Sequence, residues 1–491
     1  MENLLLKDIE KQAKELCDKY NDYHNYLHLS SERKNKNYTS PIAKIVKTPA
    51  EWGIDKKYNP FYVLKRKNQI ARSLSKKILK GQYIPNKPIE KEIKKPSGGT
   101  RTISIYQIQD SAVSDRFYHN LLSKNKHRFS SLTYAYRNDR NIHFAIQDIA
   151  NELGSVPRIF VAEFDFSNFF GSINHDYLYS QLEKNAFLVS EMDLRIIKAF
   201  LSHSDKGIPL GTSISLFLAN VVCWKLDRSL EDEGVRFARY ADDTIIWAKD
   251  YSKISKAFEL MNEFSQEAGI MINYKKSDGI SLLQGKEIRS EFLNTKEYVE
   301  FLGYKISTEK ISIKDASLKK IKKQISYLLY RNLLQPLQPS VIHYRNIPIG
   351  GKDKNFLSAI MEVRRYLYGN LTEVTLKKYL NGTYKVLTFK GIMSFYPLIN
   401  DIDQLKELDR WLICSVMNVL KLRKKQLKRK VSTFDDTQFP FYCSKNQLIV
   451  NCKMNSLLEI PSFLRVYNAM QIGLKNEGIE RVMNPQSGYY E

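Results

Sequence analysis

The amino-acid sequence predicts an α+β fold, in which an antiparallel sheet backed by helices is followed by a largely helical C-terminal half. Strand-like apolar runs interleave with amphipathic helical segments as far as about residue 310, and beyond residue 311 basic helical segments continue to residue 430. The chain has 491 residues, and such a length suggests about three folded units.

The predicted elements begin with a helix. Leu5, Ile9, Ala13 and Leu16 recur at helical spacing, so residues 1–35 are predicted to form one or two amphipathic helices. Further predicted elements are helices at 63–79, 110–125 and 141–153, a hairpin with arms at 91–95 and 100–105, a strand at 158–166, a helix capped by Asn174, a helix opened by Thr212 or Ser213, a strand–turn–strand unit at 236–249, and a helix from Ser252 to Gly269. A strand pair at 270–274 and 298–307 is expected to complete the sheet.

Composition indicates a folded protein with a polyanionic partner. Hydrophobic residues make up 43% of the chain, and 77 Lys and Arg against 53 Asp and Glu give a formal net charge of +24. That excess favours binding to nucleic-acid phosphates, although some lysines are expected only to keep the protein soluble. The cysteines lack zinc-site spacing, and neither a leader peptide nor an apolar run of membrane-spanning length is recognised. We therefore expect a cytoplasmic protein without a membrane partner, and a homo-oligomer is compatible with the sequence.

Three carboxylates occupy positions that suit metal-dependent phosphoryl transfer. Asp165 lies in the apolar strand 158–166, and Asp242 and Asp243 lie at the tip of the predicted hairpin 236–249. Two divalent ions about 3.5–4 Å apart activate a hydroxyl and stabilise a pentavalent phosphorus, and they need hard oxygen ligands on rigid elements. An Asp pair is also ordinary turn chemistry, so each motif alone is weak evidence. Arg239 is the nearby charge expected to neutralise the pair.

From about residue 52 to 310 the chain resembles a reverse transcriptase, because that family's motifs occur in order. They are KPSGGTRTISI (95–105), YAYRNDRNIHFAI (134–146), FDFSNFFGSI (164–173), GIPLGTSISLFLAN (207–220), YADD (240–243), and AGIMINYKKS (268–277) with EFLGYKI (300–306). The resemblance implies a right-hand polymerase with fingers, palm, an α-helical thumb and a C-terminal extension. It also implies RNA-directed synthesis of a DNA product from deoxynucleoside triphosphates (dNTPs).

The motifs assign roles to individual residues. The implied ligands of two Mg2+ ions, for which Mn2+ is an acceptable substitute, are Asp165, Asp242, Asp243 and the backbone carbonyl of Phe166. The implied nucleotide contacts are Lys95, Arg101, Phe170, Leu210 and Gly211, and the predicted nucleic-acid contacts in the motifs are Arg137, Lys275 and Lys276. The basic run KLRKKQLKRK (421–430) adds Lys424, Lys425 and Arg429 as predicted RNA contacts, with a solvated helix face as the alternative.

Two positions in the implied nucleotide site carry open questions. Phe170 stands where the family places an aromatic that excludes a 2′-hydroxyl, although Phe169 is an alternative and either ring could belong to the core. Leu210 departs from the family, which often has Gln there, and this departure puts ordinary use of a template in doubt.

Residues 52–85 and 364–412 resemble the defence-associated, or unknown-group, bacterial reverse transcriptases, including abortive-infection relatives. This finer resemblance implies antiphage defence, with a dedicated noncoding RNA as template or scaffold. The predicted domains are an N-terminal helical extension (1–50), fingers and palm (51–310), a helical basic thumb (311–430) and a C-terminal extension (431–491).

Three alternative functions stay open. Leu210 favours untemplated or homopolymeric DNA synthesis, which a tyrosine of the tail, Tyr489 or Tyr490, could prime, although a terminus without a role is the simpler interpretation. A catalytically inert RNA-binding scaffold is disfavoured by the intact carboxylates. An intron-type mobility enzyme is disfavoured because no nuclease module is recognised.

Overall fold

The computed structural model describes residues 1–35, 47–94, 98–348 and 353–483. Its α-helices are α1 Glu2–Asn35, α2 Pro60–Leu79, α3 Ile108–Asn125, α4 Ile142–Leu153, α5 Phe169–Ser172, α6 His175–Lys184, α7 Glu191–Leu201, α8 Ser213–Val222, α9 Trp224–Asp232, α10 Tyr251–Ala268, α11 Asp315–Leu333, α12 Lys354–Tyr368, α13 Glu373–Leu380, α14 Ile402–Lys430, α15 Lys445–Lys453, α16 Phe463–Glu477 and α17 Ile479–Val482. Its strands are β1 Ile89–Lys94, β2 Thr100–Ile105, β3 Arg158–Phe164, β4 Arg236–Tyr240, β5 Asp243–Ala248, β6 Gly279–Gln284, β7 Thr295–Lys296, β8 Val299–Phe301, β9 Tyr304–Ile306 and β10 Ile311–Ile313.

The chain divides into two compact units. Unit 1 consists of Met1–Ala145, Arg158–Leu282 and Ser290–Thr295, and unit 2 consists of Ile146–Pro157, Leu283–Arg289 and Lys296–Glu491. The predicted division into four functional domains stays a prediction. No helix among the described residues is both long and apolar enough to cross a membrane.

Unit 1 is organised around β3, β4 and β5. They belong to a five-stranded sheet with the order β4-β5-β3-β6-β7, in which β5 pairs antiparallel with both β3 and β4. Every residue of β5 after Asp243 is buried, because helices cover this part of the sheet. Helix α10 packs against β3 and β5 and ends at Gly269, whose left-handed φ of 71° suits glycine.

The N-terminal helix α1 packs against α2 and α3. As its spacing predicts, Leu5, Ile9 and Ala13 are buried, but Leu16 is 41% exposed and Cys17 takes the buried position. A helical stripe drifts along a long helix, so the fourth member of the pattern lies outside it.

Unit 2 is mainly helical, as the sequence predicts for this part of the chain. A small antiparallel sheet has the order β10-β9-β8, and α11 packs against both α12 and α14. Fully buried Arg423 on α14 pairs with Asp353 at 2.7 Å and donates to the carbonyl of Leu333 at 2.7 Å. This guanidinium therefore stabilises the packing of the helices within unit 2.

One predicted pair of strands is wrong. Residues 270–274 form no strand, and Ile272 makes only an isolated bridge to Phe166. The five-stranded sheet uses β6 instead, while 298–307 folds on itself as the β8–β9 hairpin. The apolar alternation of Ile270 and Ile272 reflects core packing next to a tight turn, and a short run cannot separate that from a strand by periodicity.

Candidate active site

A cavity of about 890 Å³ in unit 1 brings together residues from five of the sequence motifs. The predicted site residues that line it are Arg101, Asp165, Phe166, Phe170, Leu210, Asp242 and Lys276. A cavity of this size suits a small-molecule ligand with several polar contacts.

Asp165 directly follows β3 and is held by the turn at 273–277. Its carboxylate accepts hydrogen bonds from Asn273 Nδ2 and Lys276 Nζ, both at 2.9 Å from Oδ2. Its backbone carbonyl accepts from the Asn273 amide at 2.8 Å, and its own amide donates to Ser277 Oγ at 3.2 Å. These four contacts fix the direction in which the carboxylate faces the cavity.

Asp242 lies in the tight turn between β4 and β5. The preceding residue, Ala241, has a left-handed φ of 61°, which costs a non-glycine residue about 1–2 kcal/mol. Buried Arg239 supports this turn by donating to the Ala241 carbonyl at 3.1 Å. The same guanidinium forms two hydrogen bonds with Asp227, at 2.8 and 2.6 Å. The expectation that Arg239 neutralises Asp242 and Asp243 is thus wrong, because its charge is taken by Asp227.

The electrostatics of the cavity combine a pair of acids with two cations. Burial raises the pKa of Asp242, the charge on Asp165 raises it further, and Arg101 and Lys276 oppose the shift. The hydrogen bond to Asp165 raises the pKa of Lys276, assisted by the charges on Asp243 and Asp242. Lys276 therefore keeps its proton and lies against the acids, and the predicted nucleic-acid contact has an intramolecular partner.

The residues present fit divalent metal ions. Asp165 and Asp242 face one cavity, and their mutual repulsion is relieved by any cation bound between them. Phe166 lines the same cavity, whereas Asp243 has an exposed side chain and does not. Within the described ranges, no three His, Cys, Asp or Glu side chains are grouped closely enough to hold an ion together. A third carboxylate ligand, and a ligand role for the Phe166 carbonyl, stay predictions.

The glycine-rich motif packs closely against the strand β2 and the segment after Asp165. The amide of Ser104 donates to the Leu210 carbonyl at 2.7 Å, and the amide of Ile208 donates to the Phe170 carbonyl at 2.7 Å. Gly211 has a φ of 120°, and a Cβ there would lie 2.5 Å from the Ser104 carbonyl oxygen. Only glycine allows this approach, which places Leu210 and Arg101 on the same cavity.

The two candidate gate rings are both buried but have different neighbours. Phe169 packs on Phe166 with ring centroids 5.9 Å apart, and Phe166 packs in turn on Phe264 of α10. Phe170 packs instead on Tyr136, with centroids 6.3 Å apart. Both rings line the cavity, but Phe169 also packs into the core of the sheet, so this arrangement favours Phe170 over Phe169 as the ring that meets a substrate.

The other predicted contacts have mixed placements. Arg137 donates to the Ser130 carbonyl at 2.6 Å and pairs with Asp139 at 2.7 Å, so it orders its own loop. Lys275 is exposed. Lys95, Tyr489 and Tyr490 lie outside the described residues.

The basic run on α14 in unit 2 is divided between two environments. Lys424 and Lys428 both pair with Asp436, at 2.7 and 2.6 Å, and hold the pKa of that carboxyl at about 2. Lys425 and Arg429 are exposed, which keeps them available for the predicted RNA contact.

Three supporting residues were not identified from the sequence. Asn273 and Ser277 orient Asp165, and their turn-forming side chains after an apolar run are a usable signal for a tight turn. Asp227 pairs with Arg239 from helix α9, and an isolated acid in a helical pattern carries no such signal.

Comparison with known proteins identifies a related family for part of the chain. Residues 93–306 match the family described as reverse transcriptase (RNA-dependent DNA polymerase). The chain contains a reverse transcriptase domain. The predicted α+β class, with antiparallel sheets and helices, is confirmed, and the family match agrees with a right-hand polymerase arrangement.

Two curated relatives are distantly similar to the reverse transcriptase domain. Protein YkfC of Escherichia coli (strain K12) is 25% identical over 170 residues, which are 32% of this chain and 45% of that protein. The retron Ec86 reverse transcriptase of Escherichia coli is 26% identical over 176 residues, 34% of this chain and 49% of that protein. The chain thus spans about half the length of the curated relatives it matches. Among solved structures, telomerase from Candida tropicalis with a TWJ fragment of telomeric RNA aligns at 14% identity and a TM-score of 0.38, covering 85% of this chain and 63% of that chain.

Proposed function

We propose that the protein is an RNA-directed DNA polymerase whose catalytic acids are Asp165 and Asp242, with Asp243 as a further ligand. The observation that carries the proposal is that Asp165 and Asp242 share one cavity with Arg101 and Phe170, inside a domain matched to reverse transcriptases. The partners that this activity requires are an RNA template, a DNA product and dNTPs.

Each residue of the cavity has a distinct part in this reaction. Two Mg2+ ions, when bound by the carboxylates, would activate the primer 3′-hydroxyl and stabilise the charge developing on phosphorus. Arg101 binds the triphosphate through charge-assisted hydrogen bonds. Lys276 holds its proton at Nζ beside Asp165 and offsets part of the acids' charge before the substrate arrives. Phe170 excludes a 2′-hydroxyl by its volume.

The catalytic assignment is tested with Asp165→Asn and Asp242→Asn. Losing one carboxylate removes several kcal/mol of transition-state stabilisation, so the rate of dNTP incorporation should fall by about a thousandfold or more. Primer extension on an RNA template with Mg2+ measures this rate. Asp232→Asn, an exposed acid on α9, is the matched control and should retain the wild-type rate. A wild-type rate in Asp165→Asn means that the carboxylates are wrongly assigned.

Untemplated or homopolymeric synthesis is a second candidate, and the placement of Leu210 favours it. Leu210 lines the cavity but presents an apolar side chain that can form no hydrogen bond with a nucleotide or its template partner. Extension assays with and without an RNA template, followed by sequencing of the product, separate the two reactions. Restoring the family's residue with Leu210→Gln should increase the template-dependent fraction. Peptide-linked product DNA after protease digestion would support priming from a tyrosine such as Tyr489 or Tyr490.

The proposed biological setting is antiphage defence with a dedicated noncoding RNA. It rests on the resemblance of 52–85 and 364–412 to defence-associated reverse transcriptases. Plaque counts on bacteria that express the wild type or Asp242→Asn test the setting, since only the wild type should protect. Sequencing of the nucleic acid that copurifies with the protein identifies the RNA.

A further inference from the structure

We infer that Tyr136 is a positioning residue that braces the ring of Phe170 and so sets how strongly the polymerase discriminates between deoxyribonucleotides and ribonucleotides. This inference rests on the proposed function, because it assigns a further determinant of sugar selectivity to the same cavity. Phe170 lines the cavity and Tyr136 does not, so Tyr136 acts through Phe170 rather than by touching the nucleotide.

The backbone of Tyr136 is held in an unusual conformation. Its φ of 59° lies in the left-handed region, which a bulky aromatic residue rarely adopts because its Cβ is crowded by the backbone there. Tyr118 stabilises this conformation by donating its hydroxyl hydrogen to the Tyr136 carbonyl at 3.1 Å. A strained residue with a dedicated hydrogen bond is a common sign of a functional constraint.

The segment that carries Tyr136 is fastened to the turn that carries Asp242. The amide of Tyr134 donates to the Arg239 carbonyl at 3.0 Å, and the amide of Arg239 donates to the Leu132 carbonyl at 3.0 Å. Asn220 Nδ2 donates to the Ala135 carbonyl at 3.0 Å. The Arg239 side chain also donates to the Ala241 carbonyl. Arg239 therefore holds the segment of Tyr136 in position relative to Asp242.

The ring of Tyr136 meets Phe170 edge to face. The centroids are 6.3 Å apart with an interplanar angle of 73°, a geometry that aromatic pairs favour. Phe169 packs on Phe170 in the same manner, at 5.4 Å and 82°. Phe170 therefore contacts two rings, and without Tyr136 it gains freedom to turn away from an incoming 2′-hydroxyl.

The hydroxyl of Tyr136 is less important than its ring in this role. Burial, followed by the charge on Asp242, raises the pKa of the phenol to about 12, so it is neutral at the pH at which the enzyme works. A neutral hydroxyl changes neither the shape of the ring nor its edge contact with Phe170. The Tyr136→Phe variant should consequently retain the selectivity of the wild type.

The experiment compares kcat/KM for a dNTP and for the matching ribonucleotide on one primer–template. Their ratio should fall about fivefold in Tyr136→Ala, since an aromatic pair of this kind contributes about 1 kcal/mol and about 1.4 kcal/mol corresponds to a factor of ten, while dNTP incorporation itself persists. Phe170→Ala should lower the ratio further. The double variant should match Phe170→Ala alone, because a residue that acts through Phe170 has no effect once that ring is gone.

The controls separate selectivity from folding. Tyr251→Ala removes a ring that packs on Phe160 at 5.4 Å elsewhere in unit 1, and it should leave the ratio unchanged. Tyr136→Gly also removes the ring, and glycine tolerates the positive φ at this position. This variant is used if Tyr136→Ala fails to fold.

Two results would overturn the inference. One is a wild-type ratio in folded Tyr136→Ala or Tyr136→Gly. The other is a double variant in which the ratio falls by the product of the two factors measured in the single variants. A wild type that incorporates both sugars equally also contradicts it while leaving the polymerase assignment intact. A wild type that incorporates neither nucleotide defeats the proposed function and this inference together.

Discussion

Arg239 is the residue on which the geometry of the turn that carries Asp242 depends most directly. Its side chain and that of Asp227 are each 1% exposed, and their closest atoms are 2.6 Å apart. A buried ion pair adds little net stability compared with apolar residues, but removal of one partner leaves an uncompensated charge inside the protein. Arg239 also donates to the carbonyl of Ala241, next to Asp242. Folding and the proposed catalysis therefore both depend on this guanidinium.

The variant Arg239→Gln should lower the free energy of unfolding by about 3–5 kcal/mol, because buried Asp227 loses its partner. Urea denaturation followed by circular dichroism measures the loss. In the double variant Asp227→Leu/Arg239→Met neither charge remains, so most of the free energy of unfolding should return. Polymerase activity should stay low, because the hydrogen bond to the Ala241 carbonyl is missing. An unfolding midpoint of Arg239→Gln equal to that of the wild type contradicts this account.

His143, at the start of α4, predicts a pH dependence of stability. Burial lowers its pKa to about 4, below the value of about 6.5 for an unfolded chain. As pH falls through this window the unfolded state takes up a proton before the folded state does. The free energy of unfolding should therefore fall by about 3 kcal/mol in total between pH 6.5 and 4 because of this group.

Unfolding by urea at a series of pH values tests the prediction. In His143→Gln the decline over that window should be shallower than in the wild type. His119→Gln, which changes a histidine with a side chain that is 63% exposed, gives the matched comparison. Parallel curves for His143→Gln and the wild type would exclude His143 as the cause.

For individual residues, the sequence predicts the two acids of the cavity better than it predicts the residues that orient them. Asp165 and Asp242 stand in motifs whose spacing reports their chemistry, and the structure places both at one cavity. Asn273 and Asp227 approach the site from distant positions in the chain, and their contacts form only when the fold is complete. Long-range pairings of this kind leave no periodic trace in the local sequence.

The long helices and the motif strands β1 to β5 agree closely with their predictions, whereas the shortest elements do not. Helix α6 begins after the predicted cap, Asn174, whose side chain accepts from the Tyr177 amide. The four-residue helix α5 and the bridge at Ile272 were not predicted. An element of fewer than two turns has too few residues to show a period, and tertiary contacts decide its conformation.

Helix α14 shows how an element divides one basic run between structure and binding. Arg423 is buried in an ion pair, and Lys424 and Lys428 share Asp436. Lys421, Lys425 and Arg429 are exposed and follow each other at intervals of four residues, so they lie along one face of the helix. This exposed stripe is the part of the run that suits a nucleic-acid backbone.

Replacing the stripe in the triple variant Lys421→Gln/Lys425→Gln/Arg429→Gln should weaken RNA binding without unfolding the protein. Each lost phosphate contact on single-stranded RNA lowers the slope of log Kd against log salt by about 0.7, so the slope should fall by about 2. Fluorescence anisotropy over a range of salt concentrations measures it. The control Lys424→Gln/Lys428→Gln removes the two lysines that bind Asp436 and should change the slope less. An unchanged slope in the triple variant identifies the stripe as a solvated surface.

For the whole molecule, the formal net charge of +24 and the acids of the cavity imply that the proposed RNA binding and the proposed catalysis are separable. In the proposed function, affinity for RNA arises from cations spread over the surface and is screened by salt, whereas the acids of the cavity act at short range on the reacting phosphate. The composition predicts the first property, and the motifs predict the second.

The variant Asp165→Asn should therefore bind RNA with wild-type affinity and wild-type salt dependence while its DNA synthesis is lost. Its Asn273 contact can be retained, since an asparagine side-chain oxygen still accepts a hydrogen bond, so the turn at 273–277 should stay in place. Anisotropy titrations at two salt concentrations, run beside primer extension on the same preparations, measure both properties. The α14 triple variant is expected to show the opposite pattern at saturating RNA, with weakened binding and retained synthesis. Loss of RNA binding in folded Asp165→Asn would show that the carboxylate contributes to the RNA site itself, and the separation of the two functions would then be wrong.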